Sequence, residues 1–469
     1  MEETRSARPA GELRRQLGFL DVAALHVGTI LGSGIFVAPA AVAAAAPGAA
    51  WAAGLWLLGG FVAACGAACY AECGSRLPHA GGFYVYYREV YGPAMAFVGG
   101  WAALAVTYPA SIAAIALVFG RYLGEIVPVL EGRATACAAA ALLAVGAINI
   151  LGVRLAAMVQ RLLSGTKITV LALVCVAALF AGTTGAPSAG AVAEAGPTFG
   201  DSAGPAAGDA ASPGSHGVGF AAALLAAVVV MLWTYDGWSD IGLIAGEVRE
   251  PGRVLGRAVL LASAVLAAVY GLVQASVLVL LPPQRAAGSE RVVAEAVEAG
   301  MGGGAAALVA GLVVLCTFGS VHSVVLGASR LGYAMGRDGA FLRWFGRVDP
   351  HLGTPARSIA ALVGATLLYI FSADFLSLLG FFSFSVWIFY AITAVALLVL
   401  RRRGTGGAAA WQAPGGRLAP AVVLLTAAGM TSGLLREAPG RSVLGLGMLL
   451  SGFGLYALWR RVVPRSGTS

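Results

Sequence analysis

Long apolar stretches, separated by short polar or basic connections, make up most of the chain. They run roughly 20–46, 51–75, 92–119, 134–153, 158–182, 217–246, 256–281, 303–335, 356–372, 375–400, 418–435 and 441–462. At about 1.5 Å of rise per residue, helices of this length reach across roughly 30 Å of hydrocarbon. The pattern predicts an all-α integral membrane protein with about twelve transmembrane helices. The ninth stretch is the weakest, being short and bounded by Asp374.

Two stretches carry polar and glycine residues where a lipid-spanning helix has no use for them. The first contains Gly32-Ser33-Gly34. The sixth runs cleanly through "GFAAALLAAVVVML" and then meets "WTYDGWSD", Trp233 to Asp240. Glycine inside a helix costs about 1 kcal/mol relative to alanine. An unwound stretch also frees N–H and C=O groups that lipid cannot satisfy. Such groups persist where a ligand satisfies them. Helix N-termini attract a carboxylate and freed carbonyls attract an ammonium, and an amino acid has both. Paired broken helices at corresponding positions in two halves of a chain point to a transporter site. A packing role stands beside this one, because Gly28 and Gly32 form a GxxxG pair of the kind that brings helices close.

Composition supports the membrane reading. Of 469 residues 59% are hydrophobic and 11% charged, against about 25% charged in a soluble domain. The net charge of +8 does not indicate nucleic acid. With the N-terminus inside, 24 basic residues fall on the inner side and 6 outside, which is the positive-inside asymmetry and places both termini in the cytoplasm of a cell (plasma) membrane. Residues 1–19 are polar and basic and do not read as a cleavable signal. The six cysteines lie in apolar runs without zinc-ligand spacing, so no metal or cofactor is expected. Residues 183–216, rich in Gly, Ala, Ser and Pro, read as a flexible extracellular linker. No HExxH motif suggests an enzyme.

Several segments together resemble the L-type amino acid transporters of the amino acid–polyamine–organocation superfamily. "VGTILGSGIFVAPA" is similar to the family's first helix, and "CYAECGSRLPHAGGFYVYYREVYG" to its second helix and following loop. "WTYDGWSDIGLIAGEVREP" is similar to the sixth. "SRLGYAMGRDGAF" with "VDPHLGTP" resembles the end of the eighth and its loop, and "FFSFSVWIFYAITAVALLVLRRR" the tenth. The resemblance covers nearly all of 15–403. It implies a LeuT-like 5+5 inverted repeat, with helices 1–5 in 20–182 and helices 6–10 in 217–400. Two peripheral helices follow in 418–462, between a cytoplasmic N-terminal segment and a tail at 463–469. It also implies alternating access, usually as sodium-independent exchange. Carried over by motif, Thr29, Ile30, Gly32, Ser33 and Gly34 would hold the substrate carboxylate, and backbone groups around Trp233, Thr234 and Asp236 the ammonium. Trp233 takes the aromatic gate position, where phenylalanine is usual, and Trp387 would close the far side; for both, core filling is the alternative. Animal members pair with a glycoprotein heavy chain through a cysteine in the loop after the third helix. That loop, "GRYLGEIVPVLEGRAT", has none, so no such partner is expected.

Charges inside a membrane are costly and point to function. Lys167, the single lysine, stands where sodium would bind in sodium-coupled relatives. It would substitute for that cation and brace the first helix against the eighth, or it snorkels to the interface. A buried lysine can also become titratable, which would permit proton coupling. Asp236 would contact a substrate ammonium or side chain, or cap the second half-helix. His322 departs from the family and is either a hydrogen-bonded packing residue or a proton-sensing one. Glu247 and Glu72 are inner-gate pairs or interfacial charges. The expected function is exchange of neutral, with an extension to cationic, L-amino acids. Proton-coupled symport and a non-transporting amino acid sensor are the alternatives.

Overall fold

A computed structural model describes residues 12–46, 48–183, 220–372, 375–407, 410–437 and 439–462. The extracellular linker, the first eleven residues and the C-terminal tail lie outside the described residues. All regular structure among those described is helical, save one isolated parallel bridge between Leu17 and Val248.

Helix fills each of the twelve apolar stretches. The first is α1 (Phe19–Ile30), a short 3-10 turn (Gly34–Phe36) and α2 (Ala38–Ala45). Then follow α3 (Ala49–Arg76), a surface helix α4 (Phe83–Tyr91), α5 (Pro93–Ala102) continuing through a π turn into α6 (Tyr108–Ile126), α7 (Ala134–Leu151) and α8 (Val153–Thr183). The sixth stretch is α9 (Phe220–Thr234) followed by a 3-10 segment, Trp238–Glu247. The remainder is α10 (Pro251–Leu280), two short helices α11 (Pro283–Gly288) and α12 (Val292–Met301), α13 (Ala305–Arg337), α14 (Ala356–Phe371), α15 (Phe375–Arg402), α16 (Leu418–Glu437) and α17 (Pro439–Val462). Among the described residues eight helical spans are long and apolar enough to cross a membrane, two of them joining successive elements (Pro93–Ile126 and Leu224–Glu247), and α1 and α14 are shorter apolar helices. The short α14 ends at Phe371, before the expected interruption at Asp374, which lies outside the described residues.

Both breaks fall within the motifs that predict them. In the first stretch the helix stops at Ile30 and turns restart at Gly34. In the sixth it stops at Thr234 and restarts after Gly237, whose φ of +110° favours glycine. The second half of the sixth stretch is a 3-10 helix of ten residues, where runs beyond three or four are uncommon and often mark a functional hinge.

Small residues let the broken segments sit deep in the bundle. A Cβ on Gly237 would lie 2.9 Å from the Thr29 carbonyl, and one on Gly34 3.0–3.3 Å from Thr234, so the two interruptions press on each other. A Cβ on Gly28 would overlap Gln160 and Ser323, which assigns Gly28 to packing against α8 and α13. Gly66 on α3 receives the Trp238 indole, with the ring 0.8 Å from where a Cβ would stand.

At the arginine-rich end the chain closes on itself. Gln16 and Leu17 donate backbone N–H groups to the Glu247 carbonyl at 2.8 and 2.9 Å, and Arg249 N–H donates to the Leu17 carbonyl. Arg330 of α13 grips Glu247 through Nε (2.6 Å) and Nη2 (3.3 Å), both side chains being 0–1% exposed. Glu72 is likewise buried and accepts from Arg76, Arg401 and the Ala413 N–H. Neither carboxylate is an interfacial charge. Both tie helix ends together.

The Gly66–Trp238 contact yields a stability test. Gly66→Ala overpacks the seat of the indole, at a cost of about 1–3 kcal/mol, and is expected to lower the Tm of the detergent-purified protein. Gly54→Ala, where an added Cβ meets nothing within 4 Å, should leave Tm unchanged or raise it slightly. Equal Tm values for Gly66→Ala and wild type would show that the contact is not tight.

Candidate functional site

The two breaks enclose a cavity of about 190 Å³. Thr29, Ile30, Gly32, Ser33 and Gly34 line it from the first break, and Trp233, Thr234 and Asp236 from the sixth. All eight residues that the sequence singles out for substrate contact thus share one cavity. α6 contributes Tyr108 and Ser111, and α15 contributes Phe389 and Tyr390.

The break in the first stretch separates donors from acceptors. Its freed carbonyls are taken by the protein. The Lys167 ammonium donates to the Gly28 and Leu31 carbonyls at 3.2 and 2.8 Å, and the Ser320 hydroxyl reaches the same two at 2.9 and 3.1 Å. The Tyr270 hydroxyl lies within hydrogen-bond distance of both Ile30 O (3.1 Å) and Thr234 O (3.3 Å), the terminal carbonyls of α1 and α9. The backbone N–H groups of Ser33, Gly34 and Ile35, by contrast, have no hydrogen-bond acceptor among the described residues. Two of these donors, those of Ser33 and Gly34, therefore border the cavity at the start of the 3-10 turn.

Lys167 is completely buried. It does not snorkel. It lies behind the cavity and joins α8 to the broken first stretch, with Ser320 joining α13 to the same carbonyls. This is the bracing arrangement expected of a fixed cation.

The break in the sixth stretch supplies negative charge. Asp236 Oδ1 accepts from the Trp238 indole N–H at 3.1 Å and from the Tyr390 hydroxyl. It does not cap the following 3-10 segment: the capping position is Gly237, and no side-chain cap is made. Asp240, which the sequence reading passed over, also lines the cavity. It is 7% exposed, and its Oδ1 accepts from Tyr108 at 2.8 Å and from Ser239 at 3.4 Å. The rule that flags Asp236, a charge inside a membrane stretch, applies equally to Asp240 four residues on. What the sequence did not reveal is that both reach the cavity wall, together with the two tyrosines that hold them.

Two expected residues stand elsewhere. Trp387 is buried behind the wall, packed edge-on against Tyr390 (5.4 Å between centroids) and near Trp238 (6.4 Å). His322 is fully buried on another face of α13, with Nδ1 2.8 Å from the Gln160 Oε1. It does not line the cavity. Trp233 lines the cavity but is 42% exposed, so it does not close over the site in this conformation.

Comparison with known proteins gives the family. A family model described as amino acid permease matches residues 17–459. The human b(0,+)-type amino acid transporter 1 is 30% identical over 399 residues, covering 83% of this chain and 76% of its own. An uncharacterized transporter of Mycobacterium tuberculosis is 32% identical over 395 residues, covering 83% and 81%. The serine/threonine exchanger SteT of Bacillus subtilis is 27% identical over 420 residues, covering 89% and 90%. These relatives are named as transporters or an exchanger and none as an enzyme. The chain belongs to the amino acid permease family, as a multi-pass membrane transporter of the amino acid–polyamine–organocation superfamily.

Proposed function

We propose that the protein is a sodium-independent exchanger of L-amino acids that works by alternating access. One observation carries this reading. Two N–H donors, of Ser33 and Gly34, without an acceptor among the described residues, and a carboxylate, Asp236, border the same cavity from two broken helices. The donors suit an α-carboxylate and Asp236 suits an α-ammonium, so the pair selects the zwitterionic end common to amino acids. Lys167 supports sodium independence, because its ammonium already occupies the carbonyls that a metal cation would use. The name of the Bacillus subtilis relative includes exchange.

In this proposal residues 20–182 and 217–400 form two inverted five-helix repeats, each beginning with a broken helix. The arginine-rich end faces the cytoplasm, following the positive-inside asymmetry. The buried Arg330–Glu247 pair and the Gln16–Leu17 contacts close that end, so the conformation is inward-closed. Trp233 closes over the substrate from the other side, and Trp387 supports the wall from behind Tyr390.

Proteoliposome uptake tests the reading. Uptake of labelled amino acid is expected to require amino acid inside the vesicle and to ignore an imposed pH gradient. Uptake into empty vesicles driven by a pH gradient would establish proton symport instead. Substrate binding without counterflow would mark a sensor.

Ser33→Leu places a branched side chain in the break. It should abolish the substrate-induced rise in Tm and the counterflow, with expression retained. Unchanged counterflow would refute the first-break assignment. Lys167→Met leaves the Gly28 and Leu31 carbonyls to Ser320 alone. At about 1–3 kcal/mol for an unsatisfied buried polar group, Tm should fall by several degrees. An unchanged Tm would show that the ammonium does not brace the broken stretch.

A further inference from the structure

The cavity carries more negative charge than one α-ammonium needs. Asp236 and Asp240 both border it, while none of the described residues lining it is Arg, Lys or His. Lys167 is directed to carbonyls behind the wall. The carboxylates receive hydrogen bonds from neutral groups: Tyr390, Trp238 and the Gly237 backbone N–H on Asp236, Tyr108 and Ser239 on Asp240. Such donors orient a carboxylate without neutralising it. A buried charge without an opposite charge is strongly unfavourable, and a charged, hydrogen-bonded partner relieves that cost.

Resting on the amino acid reading above, we propose that Asp240, held by Tyr108, is a second cation subsite that makes dibasic amino acids the preferred substrates. The charges then match group by group. The α-carboxylate takes the N–H donors of Ser33 and Gly34. The α-ammonium takes Asp236, and the side-chain ammonium or guanidinium takes Asp240. A neutral amino acid leaves Asp240 uncompensated inside the membrane. The two carboxylates come from one 3-10-wound segment and its entry turn, four positions apart, while their orienting phenols come from α6 and α15. Tyr108 acts as a positioning residue: its hydroxyl holds Oδ1 at 2.8 Å and leaves the carboxylate on the cavity wall.

The test starts with the wild-type protein. Lysine and norleucine share the amino acid end and the four-carbon chain but differ in the terminal ammonium. Each is used to compete against labelled lysine in proteoliposome exchange and to shift the Tm of the purified protein. Lysine is expected to compete at least tenfold more strongly than norleucine. Equal potency, or a preference for norleucine, overturns the second subsite while leaving the amino acid reading intact. No effect of either compound overturns the amino acid reading, and with it this one. In the variants, Asp240→Asn should erase the lysine preference by at least tenfold while norleucine exchange persists. Tyr108→Phe should weaken lysine more than norleucine through KM rather than kcat. If Asp240→Asn folds, as shown by norleucine exchange, and keeps the wild-type lysine-to-norleucine ratio, Asp240 is not the determinant. If it does not fold, the wild-type comparison alone decides.

Discussion

The structure depends on a backbone requirement. Two helices stop partway through an apolar bundle, and every N–H and C=O group released there needs a partner in a place without bulk water. On the acceptor side the protein supplies the partners itself. Lys167 and Ser320 take Gly28 and Leu31, and Tyr270 spans the ends of both α1 and α9. Each partner comes from a different helix, α8, α13 or α10, so satisfying the break also holds the surrounding bundle around it. On the donor side no acceptor among the described residues meets the N–H groups of Ser33, Gly34 and Ile35. The asymmetry turns a local defect into an anion-seeking face.

The two breaks are coupled by contact as well as by hydrogen bonds. Gly237 lies against the Thr29 carbonyl and Gly34 against Thr234, spacings that any side chain would crowd. Trp238, the first residue of the 3-10 half, is sunk against Gly66 and donates to Asp236. The same ten-residue segment ends at Glu247, where Arg330 and the Gln16–Leu17 strand contacts hold it. One element thus runs from the cavity carboxylates to the closed arginine-rich end. A 3-10 helix has poorer hydrogen-bond geometry than an α-helix, so this element is also among the easier ones to rewind. That is a physical route by which occupancy of the cavity and the state of the far end bear on each other.

Electrostatics sorts the buried charges into two kinds. Glu72, Glu247, Arg330 and Lys167 are buried with partners supplied by the fold, and their work is to join helices. Asp236 and Asp240 have neutral donors only, and both face space. Chemical type alone does not separate the two groups, since Glu72 and Asp240 are equally carboxylates in membrane helices. The difference lies in whether an arginine stands opposite.

The sequence by itself determined the class of the molecule, its membrane stretches and the location of its two breaks. Those are properties of local composition. Lipid demands long apolar blocks, and Gly32-Ser33-Gly34 and "YDGWSD" violate that demand wherever they occur. Through its resemblance to a family it also singled out the lining residues Thr29, Ile30, Gly32, Ser33, Gly34, Trp233, Thr234 and Asp236. The tertiary structure decided which side chains meet. Only packing reveals that Lys167 points to carbonyls 136 and 139 residues away. Only packing turns His322 toward Gln160, puts Trp387 behind Tyr390, and reserves Gly28 for close approach to α8. The alternatives left open for Glu247 were likewise separated by Arg330 of α13. Asp240 is the sharpest case. Its residue type was visible four positions from Asp236, but its meaning came from its place on the cavity wall, the Tyr108 hydroxyl on α6 and the lack of a lining cation among the described residues. None of these is encoded within a local window of sequence.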